Sequence, residues 1–317
     1  MKLNNSHFLS IAVLFIGSSI SCGQGLHENA VYLATADNQI RSFDSSGNQL
    51  DTIDIQYATG NYPVTEYARD LVMLNNGNIA VYNGTFDAYL SIYDFQTTSW
   101  NHYTNPGFST VNNGSYGGIG TLGDHIFLTD MNTAGDPSAG ILRFSQSTET
   151  FTLFGGGVGF RDVTVGLDNA VYGATANQIH VYDPDTLIQQ ELITVPVTNL
   201  RGVTADQDGR IFAVTWDEAL YEFDRDGNIL NSLDVLPFMS GSGDTHDIDI
   251  NHEGTILFGH RFGNFYLTDS NLDNVLEYTA DNFDDSFVAF VNVVPEPSSA
   301  MILFGFLIVG IKQRNRR

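Results

Sequence analysis

Seven residues carry the side chains best suited to chemistry: Arg69, Asp70, Arg161, Asp162, Arg201, His246 and Asp247. Each charged residue or pair opens a short apolar run, as in ARDLVML from Ala68, RDVTVG from Arg161, RGVTAD from Arg201 and HDIDI from His246. If one ring gathers these openings, Arg and Asp either pair between neighbouring elements and fix their angle, or form a polar mouth for a sugar, a carboxylate or a divalent cation.

Other catalytic sets lack their minimum parts. Gly118, Gly120 and Gly123 match GxGxxG, but a dinucleotide fingerprint opens a helix, and here the strand-like HIFLTD follows. There is no GxSxG elbow and no HExxH, and the single cysteine, Cys22, lies near the N-terminus. His246, His252 and His260 fall on different strands or turns, which does not suit one shared metal. Asp206-Gln207-Asp208-Gly209 and Asp224-Arg225-Asp226-Gly227 look like the start of a calcium loop without the closing acid, and both read as hairpin turns. No cofactor is implied.

The elements that must position the seven residues are short. Gly, Asn and Asp clusters punctuate apolar runs at regular intervals, the pattern of an all-β chain. A unit recurs six times, with strands AVYLAT, NIAVYN, HIFLTD, AVYGAT, RIFAVT and TILFGH. A following strand closes each unit at Phe43-Asp44, Tyr93-Asp94, Phe144-Ser145, Tyr182-Asp183, Phe223-Asp224 or Thr268-Asp269. Residues 29 to 294 divided by six give about 44 per unit, the period of four-stranded propeller blades.

Five units begin with a further strand, and the first has none. SFVAFVNVV from Ser286 supplies it, so the predicted fold is a six-bladed β-propeller whose C-terminal strand 286–294 joins the first blade. Closure of that kind leaves no open sheet edge at the seam. A seventh blade would need strands hidden in residues 56–67 or 101–116, and six is the better arithmetic. The units are similar to NHL-type repeats of other six-bladed propellers: an Arg at the inner strand, a Gly turn, an apolar strand, then aromatic-Asp-x-x-Gly.

The ends read as addresses. Lys2, the apolar stretch Phe8 to Gly17 and the small residues Ser18, Ser19 and Ser21 form a signal peptide over residues 1–21. Cleavage after Ser21 by signal peptidase makes Cys22 the first mature residue; lipidation of its thiol is the alternative, although Ser19 stands where that pattern wants a Leu-like residue. At the other end, Pro295, Glu296 and Pro297 form a non-helical tether. An apolar, transmembrane-helix-like run follows over about residues 298–311, and then Lys312, Arg314, Arg316 and Arg317.

Triplet, short membrane segment and Arg-rich end together resemble the PEP-CTERM sorting signals. The resemblance covers residues 295–317 and implies recognition by an exosortase in a Gram-negative bacterium that makes extracellular polysaccharide. It further implies a transient inner-membrane anchor, then a cell-surface or extracellular fate.

Charge sharpens these readings. The full chain carries 13 basic and 37 acidic residues, a net charge of -24. Residues 29–294 contain eight arginines, no lysine and 35 acids, a charge near -27. No basic stripe is available for nucleic acid. The sequence points to an exported, non-catalytic propeller, a binding or matrix component associated with exopolysaccharide. The alternative is a metal-dependent propeller hydrolase, lactonase or lyase working at the channel mouth. Lactonases of the gluconolactonase type place Glu, Asn and Asp around a metal there, whereas no inner strand here begins with Glu.

Overall fold

The computed structural model describes residues 26–36, 39–56, 68–83, 89–104, 117–130, 139–217, 219–238, 245–260, 264–279 and 286–291. The signal peptide, Cys22, the Pro-Glu-Pro triplet, the apolar run and the basic tail lie outside them.

Six antiparallel four-stranded sheets form the blades. The first contains β1 (Tyr32–Ala36), β2 (Gln39–Phe43) and β3 (Gln49–Asp54). The second runs outward through β4 (Ala68–Met73), β5 (Ile79–Asn83), β6 (Tyr89–Asp94) and β7 (Ser99–Thr104). The third follows with β8 (Ile119–Leu122), β9 (His125–Asp130), β10 (Gly140–Ser145) and β11 (Thr150–Phe154). The fourth is β12 (Asp162–Val165), β13 (Val171–Ala174), β14 (Gln178–Tyr182) and β15 (Gln189–Thr194). The fifth is β16 (Leu200–Ala205), β17 (Ile211–Thr215), β18 (Ala219–Phe223) and β19 (Ile229–Asp234). The sixth is β20 (Thr245–Ile250), β21 (Thr255–His260), β22 (Asn264–Asp269) and β23 (Leu276–Thr279). The last strand, β24 (Val288–Phe290), pairs with β1 and completes the first blade.

The second strand of each blade is largely apolar because both of its faces are buried. In β17, Ile211 and Ala213 enter the apolar wedge shared with the fourth blade, while Phe212 and Val214 enter the wedge shared with the sixth. The core is thus six wedges, one between each pair of neighbouring blades, and β24 contributes Val288 and Phe290 to the wedge between the sixth and first. Each outer strand has only one face to bury, and β19 alternates exposed and partly buried residues accordingly.

The turns after the third strands follow from their residues. Asp224 Oδ1 accepts the amides of Asp226 and Asn228 at 3.0 and 2.8 Å, and Gly227 supplies the positive φ of 83° that completes the turn. Asp44 repeats the arrangement with Ser46 and Asn48. These contacts fix the register of the outer hairpins and leave the inner strands to form the channel wall.

Candidate functional site

The inner strands β24, β4, β8, β12, β16 and β20 contact one another in that order around the axis. Their registers make Asp70, Gly118, Asp162, Gly202, Asp247 and Phe287 equivalent positions, each followed by the residue that reaches toward a neighbouring blade. Around the ring the side chains therefore alternate: Asp, Gly, Asp, Gly, Asp, Phe.

Each Asp of this set stitches two blades together. Asp70 accepts the Leu71 amide at 2.6 Å through Oδ1 and the Ile119 amide of the third blade at 2.7 Å through Oδ2. Asp162 Oδ2 accepts the Val203 amide of the fifth blade at 2.7 Å. Asp247 accepts its own neighbour, Ile248, at 2.7 Å and the Val288 amide of β24 at 2.7 Å. Gly118 is required by space, since a Cβ there would overlap Asp162 Oδ1 and the Val163 amide nitrogen, whereas at Gly202 a Cβ would be tight against the Ile248 and Val214 methyl groups. One further carboxylate, Asp249, repeats the stitch two residues deeper, accepting Ile250 at 2.8 Å and Phe290 at 2.9 Å.

The four carboxyl groups line one channel cavity of about 80 Å³. Burial raises all four, because a low-dielectric wall disfavours the charged form. Asp70 is pushed well above the carboxylate range by burial and by the Asp247 and Asp162 charges, and Asp162 by burial and Asp247. Asp247 is raised to about 7 and Asp249 to about 6, burial being the main cause in both. Asp70 and Asp162 each feel the Asp247 charge, so the three titrate as an interacting group.

Arg69, Arg201 and His246 stand one residue before this layer, each at a β-bulge. Register passes from Ala68↔Asn83 to Asp70↔Tyr82, from Leu200↔Thr215 to Gly202↔Val214, and from Thr245↔His260 to Asp247↔Gly259. The extra residue is Arg69, Arg201 or His246 in turn, and a bulge re-aims its side chain. Arg161 immediately precedes β12 in the fourth blade and donates from Nη1 to the Leu200 carbonyl of the fifth at 3.3 Å. The Arg201 guanidinium lies over the Trp216 ring, 3.8 Å from its centroid, and the His246 ring meets Phe287 edge-on at 5.9 Å.

The structure thus places Arg69, Asp70, Asp162, Arg201, His246 and Asp247 on inner strands and Arg161 just before β12, and of the seven it gathers Asp70, Asp162 and Asp247 around one cavity. The sequence reading leaves Arg–Asp pairing between blades and a polar mouth as alternatives; what the structure shows of the carboxylates is that they bridge blades through backbone amides. The physical reason is that inner strands leave amides facing the next blade, and a buried amide needs an acceptor. Asp249 and Trp216 were not singled out from sequence. Aligning the inner strands would have shown Asp249 in the same alternation as Asp247, but nothing local marks Trp216. Among the described residues, no three His, Cys, Asp or Glu side chains are grouped so as to hold a metal ion.

What decides the chain's route lies beyond the ring, in residues 293–317. They match the PEP-CTERM protein-sorting motif. A PEP-CTERM signal implies export, membrane-anchored transit and processing by an exosortase, and the apolar run over 298–311 is consistent with the anchor. Among the described residues, no helix is long and apolar enough to cross a membrane. No curated protein matches the chain.

Two solved structures show what the ring that precedes this motif resembles. One is virginiamycin B lyase from Staphylococcus aureus, 16% identical, with a TM-score of 0.54 over 80% of this chain and 85% of that one. Another is a protein of unknown function from Bacteroides caccae, 9% identical, with a TM-score of 0.56 over 83% of this chain and 99% of that one. At such identities the likeness is one of fold alone, and 1322 solved chains share it.

Proposed function

We propose that this exported propeller acts after exosortase processing at the cell surface or beyond, as a non-catalytic binding component of an extracellular polysaccharide matrix. The observation that carries the reading is the sorting motif at residues 293–317, joined directly to a closed six-bladed ring. Two features support it further. The channel carboxylates spend their oxygens on backbone amides of adjacent blades, a structural use. The strongly acidic core stays dispersed outside the cell by mutual repulsion.

A second reading, a metal-dependent propeller hydrolase, lactonase or lyase, takes some support from the convergence of Asp70, Asp162 and Asp247 and from the lyase among the fold neighbours. It would require Asp162 and Asp247 to ligate a metal through lone pairs not already used by the Val203 and Val288 amides.

Replacing Pro295 and Glu296 with Ala and following the protein by cell fractionation tests the sorting part. The expected outcome is an unprocessed precursor retained in the inner membrane. Unchanged processing and unchanged release would sink the reading.

A further inference from the structure

We infer that the cleft at the seam between the sixth and first blades, walled by Tyr32, Tyr278 and Leu276 and edged by Asp269 and Asn274, is a binding site for an uncharged sugar. The inference rests on the matrix-binding reading above and names the class of glycan that such a protein would hold.

The cleft is made by closure of the ring. β22, β23 and the turn between them supply Asp269, Asn274, Leu276 and Tyr278, while the first blade supplies Tyr32 and Ser45, so neither blade forms it alone. Its volume of about 220 Å³ is an order of magnitude beyond the space that one water needs, and it exceeds the 80 Å³ of the channel cavity.

The side chains around it offer what a sugar ring presents: an apolar wall and polar groups that both donate and accept. Leu276 is 56% exposed although large and apolar, and with the partly exposed Tyr278 it faces the C–H groups of a pyranose. Tyr278 is fixed in place, since its ring stacks on Tyr32 at 6.1 Å between centroids and a Cβ on Gly47 would overlap it. Tyr32 itself is only 8% exposed, and its hydroxyl has no hydrogen-bond partner among the described residues. A polar group so placed, lining a cleft, wants a partner from the ligand. Burial, Tyr278 and the Asp44 charge push its pKa up, so the hydroxyl keeps its proton and can donate as well as accept.

The rim has further capacity. Asp269 Oδ1 accepts the amides of Asn271 and Asp273 at 2.9 and 3.1 Å, but Oδ2 accepts only the Asn274 side-chain amide, at 3.3 Å. That oxygen keeps a lone pair for a sugar hydroxyl, and the Asn274 side-chain carbonyl accepts no bond among the described residues. Ser45 and Thr255 add hydroxyl groups to the lining. Charge then sets the class of ligand. No Lys, Arg or His lines the cleft to hold an anion, and one carboxylate falls short of the oxygen set that calcium takes. The field of a core near -27 repels an acidic glycan as well.

The test uses the purified full chain in a detergent without a sugar headgroup. The probes are tetramers of glucose, galactose and mannose, with tetragalacturonate as the acidic control, each titrated by calorimetry. Expected is saturable binding of at least one neutral tetramer with a dissociation constant below about 1 mM, and no saturation by the acidic one over the same range. Tyr32→Phe keeps the ring and removes the hydroxyl, and should weaken that binding about two- to tenfold, the worth of one neutral hydrogen bond. Asn274→Gly should weaken it by a similar factor, and glycine adopts the φ of 56° found at Asn274 without strain, so the turn is kept. Circular dichroism verifies that both variants are folded.

Neutral binding untouched by both Tyr32→Phe and Asn274→Gly overturns the site and leaves the matrix-binding reading standing. Binding of tetragalacturonate as tight as that of the best neutral tetramer overturns the class of sugar and likewise leaves that reading standing. Absence of binding to all four probes overturns the inference and removes support from the matrix reading as well, while the sorting reading is judged separately by fractionation.

Discussion

Asp247 and Asp249 each give one oxygen to β20 and the other to β24, so two carboxyl groups hold the closing strand to the sixth blade. Both groups sit in the fold at pKa values of about 7 and about 6, above the ordinary carboxylate value of 3.8. A group raised in this way binds more protons folded than unfolded, so its contribution to stability is complete below about pH 4 and is lost as the pH climbs through its folded value. Asp70 and Asp162, also raised, act in the same direction. Thermal melts at constant ionic strength should give a lower Tm at pH 8 than at pH 5. Asp249→Asn should lower the Tm at pH 5, because the amide cannot accept from both Ile250 and Phe290, and should flatten the slope between pH 4 and 7. A Tm that rises from pH 5 to 8 in the unmodified protein would contradict this account.

At the scale of elements, the weak point is β24. It has three residues, yet it is the innermost strand of the first blade and the only part of that blade drawn from the far end of the described chain. Its pairing with β1 at Tyr32↔Phe290, Leu33↔Ala289 and Ala34↔Val288 is reinforced on the other side by the carboxylate stitches. Thr35 adds to the hold, its amide donating to the Phe287 carbonyl and its hydroxyl accepting the Phe287 amide, both at 2.9 Å. Val288→Pro removes the amide that Asp247 accepts and should cost about 1–3 kcal/mol, the penalty for a buried acceptor left without its donor. Val288→Ala, which keeps the amide, controls for lost packing. Chemical denaturation of Val288→Pro, Asp247→Asn and the double variant should show clear non-additivity, because both changes strike one contact. Strict additivity would show that the stitch is not an energetic unit.

For the whole molecule, charge and closure work against each other. A ring near -27 over residues 29–294 repels itself, and closing it brings acids from six blades together. Outer positions ease the strain locally. Arg225 pairs with Asp168 at 2.7 Å and with Glu191 at 3.2 Å, and Arg210 with Asp206 at 2.7 Å and Glu222 at 3.1 Å. Eight arginines cannot balance 35 acids, so counter-ions must do the rest. Raising the ionic strength from low to moderate at pH 8 should therefore raise the Tm, with little change at pH 4, where the surface carboxylates lose much of their charge. Closure also places β1 and β24 side by side, so the membrane tether leaves the ring from the blade in which the chain begins its fold.

The amino-acid sequence alone determined the number of blades, the order of their strands, the closing segment and the sorting tail. These are written in local signals: a period of about 44 residues, apolar runs bounded by Asp and Gly turns, and a Pro-Glu-Pro triplet before an apolar stretch. It also picked out Arg69, Asp70, Arg161, Asp162, Arg201, His246 and Asp247, because they recur at one place in the repeat. Tertiary structure alone decided what those residues face. Whether Asp162 meets an arginine or the Val203 amide depends on how two blades dock, and no spacing within one blade carries that information. The same holds for the bulges that aim Arg201 and His246 and for the seat of Arg201 against Trp216: each arises where inner strands converge on one axis, and that convergence exists only once the ring has closed.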